Sequence, residues 1–269
     1  MLMHLTPMEI TFYKYQGAGN DFVIIDDREE QFDRSNTDLV NYLCDRRFGI
    51  GGDGLMLLRN KEGFDFEMVY YNSDGNESSM CGNGGRCIVA FAKKMGVVGD
   101  SCYFIAVDGP HEANAIQTEE GEWISLKMID VPEVEKGPRY CFMNTGSPHY
   151  VAFESNLKSF DLVEEARKIR YNNRFSAEGT NVNFVNIEND ILNIRTYERG
   201  VEDETLACGT GVTAAVLAAH STGQFSGDEL NVKAQGGNLK VKFQKVDDGY
   251  QNIWLEGPAE FVFKGTINV

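Results

Sequence analysis

The sequence predicts an α+β fold of two duplicated domains, each with many short strands around one apolar helix. Three observations lead there. Met80-Cys81-Gly82-Asn83-Gly84-Gly85-Arg86-Cys87 is answered by Ala207-Cys208-Gly209-Thr210-Gly211, and each stretch opens an apolar, helix-like run. The offset of 127 residues that carries Cys81 onto Cys208 also carries Gly82 onto Gly209, Gly84 onto Gly211, Gly96 onto Gly223 and Gly109 onto Gly236. Strand-like runs outnumber helical ones, and Val212 to Ala219 is so apolar that it must be covered on most sides.

The bulk of the chain suits this division. A length of 269 residues with 42% hydrophobic and 11% aromatic residues can give two domains a core each. A formal charge of -16 supplies no footprint for a phosphate backbone and repels an anionic membrane surface, so neither nucleic acid nor membrane is an expected partner. The first residues lack a basic and then apolar leader, and no apolar run reaches about 18 residues, so a soluble cytoplasmic protein is expected. Six cysteines without an export signal read as free thiols. The absence of a CxxC pair and the scatter of the four histidines give no expectation of a metal.

Along the chain, Met8 reads as a working start and residues 9–15 as a strand. Gly17-Ala18-Gly19-Asn20 turns into a second strand, residues 22–26. Asp38 to Arg47 has helical spacing, with Leu39, Leu43 and Cys44 on one face. Gly49-Ile50-Gly51-Gly52-Asp53-Gly54 matches G-x-G-x-x-G, but a strand-like run follows it and no apolar strand precedes it, so it is not a dinucleotide fingerprint. Residues 64–71 alternate as a strand and lead through a polar loop to Cys81; residues 191–197 do the same before Cys208. Further strands are expected at 123–128 and 239–243. The Pro- and Glu-bearing stretch 128–138 is the expected crossing, which divides the chain into 1–129 plus 259–269 and 130–258. The closing run 259–265 has no counterpart in the first copy and is expected to return to the N-terminal domain.

A cysteine at a helix N-terminus is biased toward thiolate by the helix dipole, and the N–H groups of the first turn bind a carboxylate. If both helix ends serve one carboxylate, Gly82 and Gly209 allow close backbone approach while the thiols flank the attached carbon. One thiolate then removes a proton from one face and the other thiol returns one to the opposite face, inverting the centre. Taken singly, a Cys-Gly-x-Gly is as well explained by a small buried residue at a tight turn; its repetition favours the chemistry. Cys87 lies about 240° round the helix from Cys81 and reads as core. Cys44, Cys102 and Cys141 sit in ordinary contexts.

The chain also resembles the diaminopimelate epimerase family. The resemblance rests on six ordered motifs: residues 16–22, 49–54, 72–75, 80–87, 197–200 and 204–211, which span nearly the whole chain. The proline racemase type of relative places His after the first Cys-Gly, where this chain has Asn83. What the resemblance implies is a cofactor-independent isomerase that interconverts LL- and meso-2,6-diaminopimelate, in two barrel-like α/β domains around central helices. Cys81 and Cys208 would be its acid and base, and Gly82, Asn83, Gly209 and Thr210 would hold the reacting carboxylate through backbone N–H groups. Asn20, Asn72, Asn181, Glu198 and Arg199 would bind the rest of a small-molecule substrate, the Arg199 fork suiting a carboxylate. An adjacent Glu-Arg pair is by itself more often a solvated ion pair. His149, with Glu198, would tune a catalytic cysteine, although a lone histidine is usually structural. A homodimer is compatible with the family.

Ser147 stands where the family commonly has Asn, Gly54 where it commonly has Gln, and the loop before Cys208 is one residue longer. These departures bear on the far end of the substrate and keep a related isomerase of another amino acid as the runner-up. A cysteine hydrolase or thiol redox protein would need a histidine base or a CxxC and leaves the duplication unexplained. A non-catalytic amino-acid-binding homologue would tolerate loss of either cysteine, and both are present.

Overall fold

The computed structural model describes residues 9–78 and 80–269; the expected start at Met8 lies outside them. The chain forms two compact units, one reaching to Ala115 and taking in Ala259–Val269, the other formed by Ile116–Pro258.

In the first unit, strands Glu9–Gly17 and Asn20–Asp26 make an antiparallel hairpin. Its turn residues Ala18 and Gly19 both have positive φ, 54° and 96°, the backbone whose twist matches that of the flanking strands. Asn20–Asp26 pairs in parallel with Gly54–Arg59, which needs a crossover, and helix α1, Thr37–Cys44, supplies it. Asn36 caps α1 by accepting from the Leu39 N–H, and Val40, Leu43 and Cys44 are its buried residues. The helix stops short of the expected Arg47 because Asp45 turns extended and its carboxylate takes the N–H groups of Arg47 and Phe48. Gly54–Arg59 then pairs antiparallel with Glu67–Asn72. Helix α2, Gly82–Lys94, leads on to the hairpin of Ser101–Ala106 and Gly109–Thr118. Strand Glu260–Asn268 lies antiparallel to Glu9–Gln16, the return expected for the closing run.

The second unit repeats this order. Pro148–Phe153 pairs in parallel with Asn181–Glu188, helix α3, Leu162–Arg170, lying between them in sequence. Asn181–Glu188 pairs antiparallel with Ile191–Glu198. Helix α4, Gly209–Ser221, then crosses to Glu229–Ala234, parallel to Ile191–Glu198, and the hairpin with Gly237–Val246 follows. Gly249–Pro258 continues the ladder, and Gly121–Lys127 pairs with it, Trp123 opposite Pro258 and Lys127 opposite Trp254. That long-range pairing packs 116–129 with the second unit, and the two compact units part in sequence inside strand Gly109–Thr118.

Helices α2 and α4 are each 13 residues long and end alike. Gly96 and Gly223 have φ of 70° and 71° just past them. The next N–H groups, of Val97 and Gln224, reach back to the carbonyls of Ala92 and Ala219 at 2.9 and 3.0 Å, closing the C-terminal turn. Every residue of α4 from Gly211 to Ala219 is buried, as so apolar a helix requires. Among the described residues no helix is long and apolar enough to cross a membrane.

Candidate active site

Cys81 and Cys208 are the N-caps of α2 and α4. Both have extended backbone, φ/ψ of -94°/135° and -123°/112°. Their carbonyls accept the first helical bonds, from Gly85 N at 2.7 Å and Val212 N at 2.9 Å. Ser, Thr, Asp or Asn would usually occupy such a position and cap the helix through a side-chain oxygen; neither thiol makes that bond. Both are partly accessible, whereas Cys44, Cys87, Cys102 and Cys141 are buried. Burial pushes the Cys44, Cys87 and Cys102 thiols up to about 12 and raises Cys141 as well, so these four are poor acids and poor nucleophiles near neutrality.

Around Cys81, one polar chain holds the side chains of the first unit. The guanidinium of Arg86, fully buried in α2, donates to Asn83 Oδ1 at 2.9 Å and to the Gly82 carbonyl at 3.3 Å. Asn83 therefore turns its Nδ2 to Asn20 Oδ1, at 2.5 Å, and Asn20 Nδ2 donates to Asp53 at 2.8 Å. Arg46 clamps Asp53 and Asp21, and the largely buried Lys14 pairs with Asp21 at 2.6 Å and donates to the Gly51 carbonyl. The glycine-rich loop 49–54 is thus fastened to these side chains, and a strand follows it, the opposite of a dinucleotide site. A Cβ on Gly54 would lie 2.5 Å from the Tyr71 carbonyl, so this backbone has no room there for the Gln common in the family. Asn72 ends strand Glu67–Asn72 and is exposed. On the approach to Cys81, Asp108 accepts from Met80 N at 3.3 Å and pairs with His111.

Around Cys208, strand register places His149 opposite Asn181. Asn181 donates to Ser147 Oγ at 2.9 Å and to the Pro148 carbonyl at 3.2 Å, while its Oδ1 accepts from Arg199 N at 2.8 Å. The Arg199 guanidinium is exposed and donates to the Glu178 carbonyl, and Glu198 accepts from Thr205 at 3.0 Å. His149 is fully buried, and burial first, with the Arg199 charge second, pulls its imidazole down to about 3, so it is neutral. Its Nε2 lies 2.8 Å from Thr210 Oγ1, which lies 3.4 Å from Cys208 Sγ. Thr145 Oγ1 donates to the Thr210 carbonyl at 2.8 Å. A Cβ on Gly211 would stand 2.6 Å from Asn183 Oδ1 and 3.2 Å from His149 Cε1; glycine there lets the first turn of α4 settle on the strand pair.

Within the first unit the structure joins Asn20 to Asn83, the second residue of the helix that Cys81 caps. Within the second it joins His149, Asn181 and Thr210 to the side of Cys208. Asn183, Arg86 and Asp53 were not among the residues expected from sequence. The signal for Asn183 is its spacing of two from Asn181, which puts both amides on one strand face.

The diaminopimelate epimerase family model matches residues 12–130 and 141–262. The chain belongs to the diaminopimelate epimerase family. It is 53% identical over 256 residues to the diaminopimelate epimerase of Flavobacterium psychrophilum, covering 95% of this chain and 99% of that protein. With that of Chlorobaculum tepidum it is 44% identical over 260 residues, covering 94% and 99%. Two solved structures share the fold at low identity. A PhzF-family phenazine biosynthesis protein of Bacillus anthracis superposes with a TM-score of 0.75 at 14% identity, covering 97% of this chain and 100% of that one. A hydroxyproline epimerase of Agrobacterium vitis gives 0.69 at 13%, covering 97% and 93%. As a diaminopimelate epimerase family member the chain is an isomerase, and the strand-rich two-domain α+β fold expected from its sequence is the fold of these neighbours.

Proposed function

We propose that the protein interconverts LL- and meso-2,6-diaminopimelate by exchanging the α-proton between two thiols, Cys81 and Cys208. The observation that carries this is the matched pair of N-cap cysteines, the two partly accessible thiols of six, each at the head of a 13-residue helix in a chain of this family. The first-turn N–H groups at Gly82 and Asn83, and at Gly209 and Thr210, take the carboxylate of the reacting centre, whose charge they and the helix dipoles favour. A carboxylate so held acidifies the α-hydrogen. The thiolate on one face accepts that proton, and the thiol on the other face gives its own to the carbon, leaving the thiolate there. In the LL to meso direction Cys208 accepts and Cys81 donates; the roles exchange in reverse.

Asn20, Asn72, Asn181, Glu198 and Arg199 are assigned to the ammonium and carboxylate at the far end. Glu198 supplies a negative and Arg199 a positive partner, the latter with a planar fork. The acidic protein is assigned to small-molecule turnover in the cytoplasm, with neither nucleic acid nor membrane as a partner and without a cofactor.

The test is α-proton exchange in deuterium oxide, followed by NMR with LL-diaminopimelate and separately with proline, lysine and histidine. Exchange with inversion in diaminopimelate alone is the expected result. Inversion of one of the other three, with diaminopimelate inert, would replace this assignment by that of a related racemase.

A further inference from the structure

The side chain of Asn183 sits on strand Asn181–Glu188, buried together with His149. Its Nδ2 lies 3.0 Å from the Tyr150 carbonyl and 3.1 Å from His149 Nδ1, and its Oδ1 takes the Thr196 hydroxyl at 2.9 Å. A carbonyl only accepts, so the Tyr150 carbonyl fixes which end of the amide is nitrogen. That nitrogen donates its second hydrogen to Nδ1, which is therefore an acceptor. A neutral imidazole whose Nδ1 accepts carries its hydrogen on Nε2. At 2.8 Å from Nε2 the Thr210 oxygen accepts that hydrogen, and the hydroxyl's own hydrogen is left to the Cys208 sulfur at 3.4 Å. Asn181 Nδ2, 3.4 Å from Nε2, does not compete, because its two hydrogens go to Ser147 Oγ and the Pro148 carbonyl.

We propose that Asn183 is a positioning residue that sets the tautomer of His149 and so aims the Thr210 hydroxyl at the sulfur of Cys208. The hydrogen bonds then run one way, Asn183 to His149 to Thr210 to Cys208, each donor upstream of its acceptor. No proton leaves the imidazole or the hydroxyl. When the Cys208 thiol gives its proton to the substrate carbon, the charge left on sulfur meets a hydroxyl hydrogen already pointed at it, polarised from behind by a buried neutral ring. In the opposite tautomer Nε2 would be an acceptor, the hydroxyl hydrogen would turn to the ring, and the sulfur would face an oxygen lone pair.

The relevance to catalysis rests on Cys208 being one of the two acid–base thiols, but the arrangement is testable without turnover. In long-range 15N spectra of the histidine rings, with His149 assigned from a His149→Gln protein, the Nε2-protonated tautomer is expected; the Nδ1-protonated form overturns the proposal. The second measurement is the pH dependence of Cys208 alkylation by iodoacetamide, read by peptide mapping. Thr210→Val keeps the side-chain shape and removes the hydroxyl, and should raise the midpoint by about one pH unit, the weight of a hydrogen bond to a charged group. Thr210→Ser should restore it, and Asn183→Leu should raise it while mixing the tautomers. A Thr210→Val midpoint equal to that of the unmodified protein overturns the relay. A failed exchange test with diaminopimelate would remove the substrate assignment and leave the tautomer and thiol measurements standing.

Discussion

Arg86 Nη2 donates to Asn83 Oδ1 across 2.9 Å while the same guanidinium reaches the Gly82 carbonyl, so one buried side chain ties two residues of the first turn behind Cys81. Its planar fork serves two acceptors that a single ammonium cannot reach equally. Arg86→Lys is expected to cost about 1–3 kcal/mol in urea unfolding, the weight of a buried hydrogen-bonding group left unpaired. The Michaelis constant for diaminopimelate should rise with it, because Asn83 is released. Unchanged unfolding and unchanged kinetics together would show that the guanidinium does not hold this turn.

Thiol accessibility separates the six cysteines. Brief treatment of the reduced protein with iodoacetamide at about pH 8 should label Cys81 and Cys208 and spare the other four, whose burial keeps them protonated. Peptide mapping that finds Cys87 or Cys102 modified first would contradict the division.

Serine in place of either N-cap cysteine removes one of the two proton carriers. Both Cys81→Ser and Cys208→Ser should lose epimerisation by a factor of about 100 to 10,000, the usual weight of a general acid or base. Each should still wash the α-proton of one stereoisomer into deuterium oxide without inverting it, and the two variants should choose opposite stereoisomers. Epimerisation near the unmodified rate in either variant would make that cysteine structural.

The buried imidazole of His149 makes stability depend on acid. Its folded pKa of about 3 lies below an unfolded value of about 6.5, so between the two the unfolded chain binds the extra proton. The contribution is complete above about pH 6.5 and falls by about 1.4 kcal/mol for each unit below it, or about 2 kcal/mol at pH 5. Urea midpoints at pH 5 and 7.5 should therefore differ more for the unmodified protein than for His149→Gln. Parallel pH dependence in the two proteins would show that the ring is not buried as described.

Much of this is readable in the sequence. Helices α2 and α4 announce themselves because a Cys-Gly-x-Gly turn opens each and an apolar run continues it. Helix α3 is quieter: only Leu162 and Ala166 are buried, and its signals are a cap at Asp161, acids in the first turn and Arg167, Lys168 and Arg170 in the last. The polar and Pro-bearing stretch 128–138 resembles a linker in composition, whereas the compact units part earlier in sequence, because the strand partners of Trp123–Lys127 arrive 127 to 135 residues later and local composition cannot register them. In the site, Asn183 belongs to no motif, and Arg86, although it lies inside the motif 80–87, works from within the core; the roles of both become evident only once their partners are placed.

The antiparallel pairing of Glu260–Asn268 with Glu9–Gln16 has a consequence for biosynthesis. On the ribosome the stretch Ile116–Pro258 is synthesised whole before the strand that completes the amino-terminal unit has been made. Domains usually close in the order in which they are translated. Here the first unit to begin is the last to be finished, and until then Glu9–Gln16 presents an unpaired edge, the kind of surface to which stray strands add.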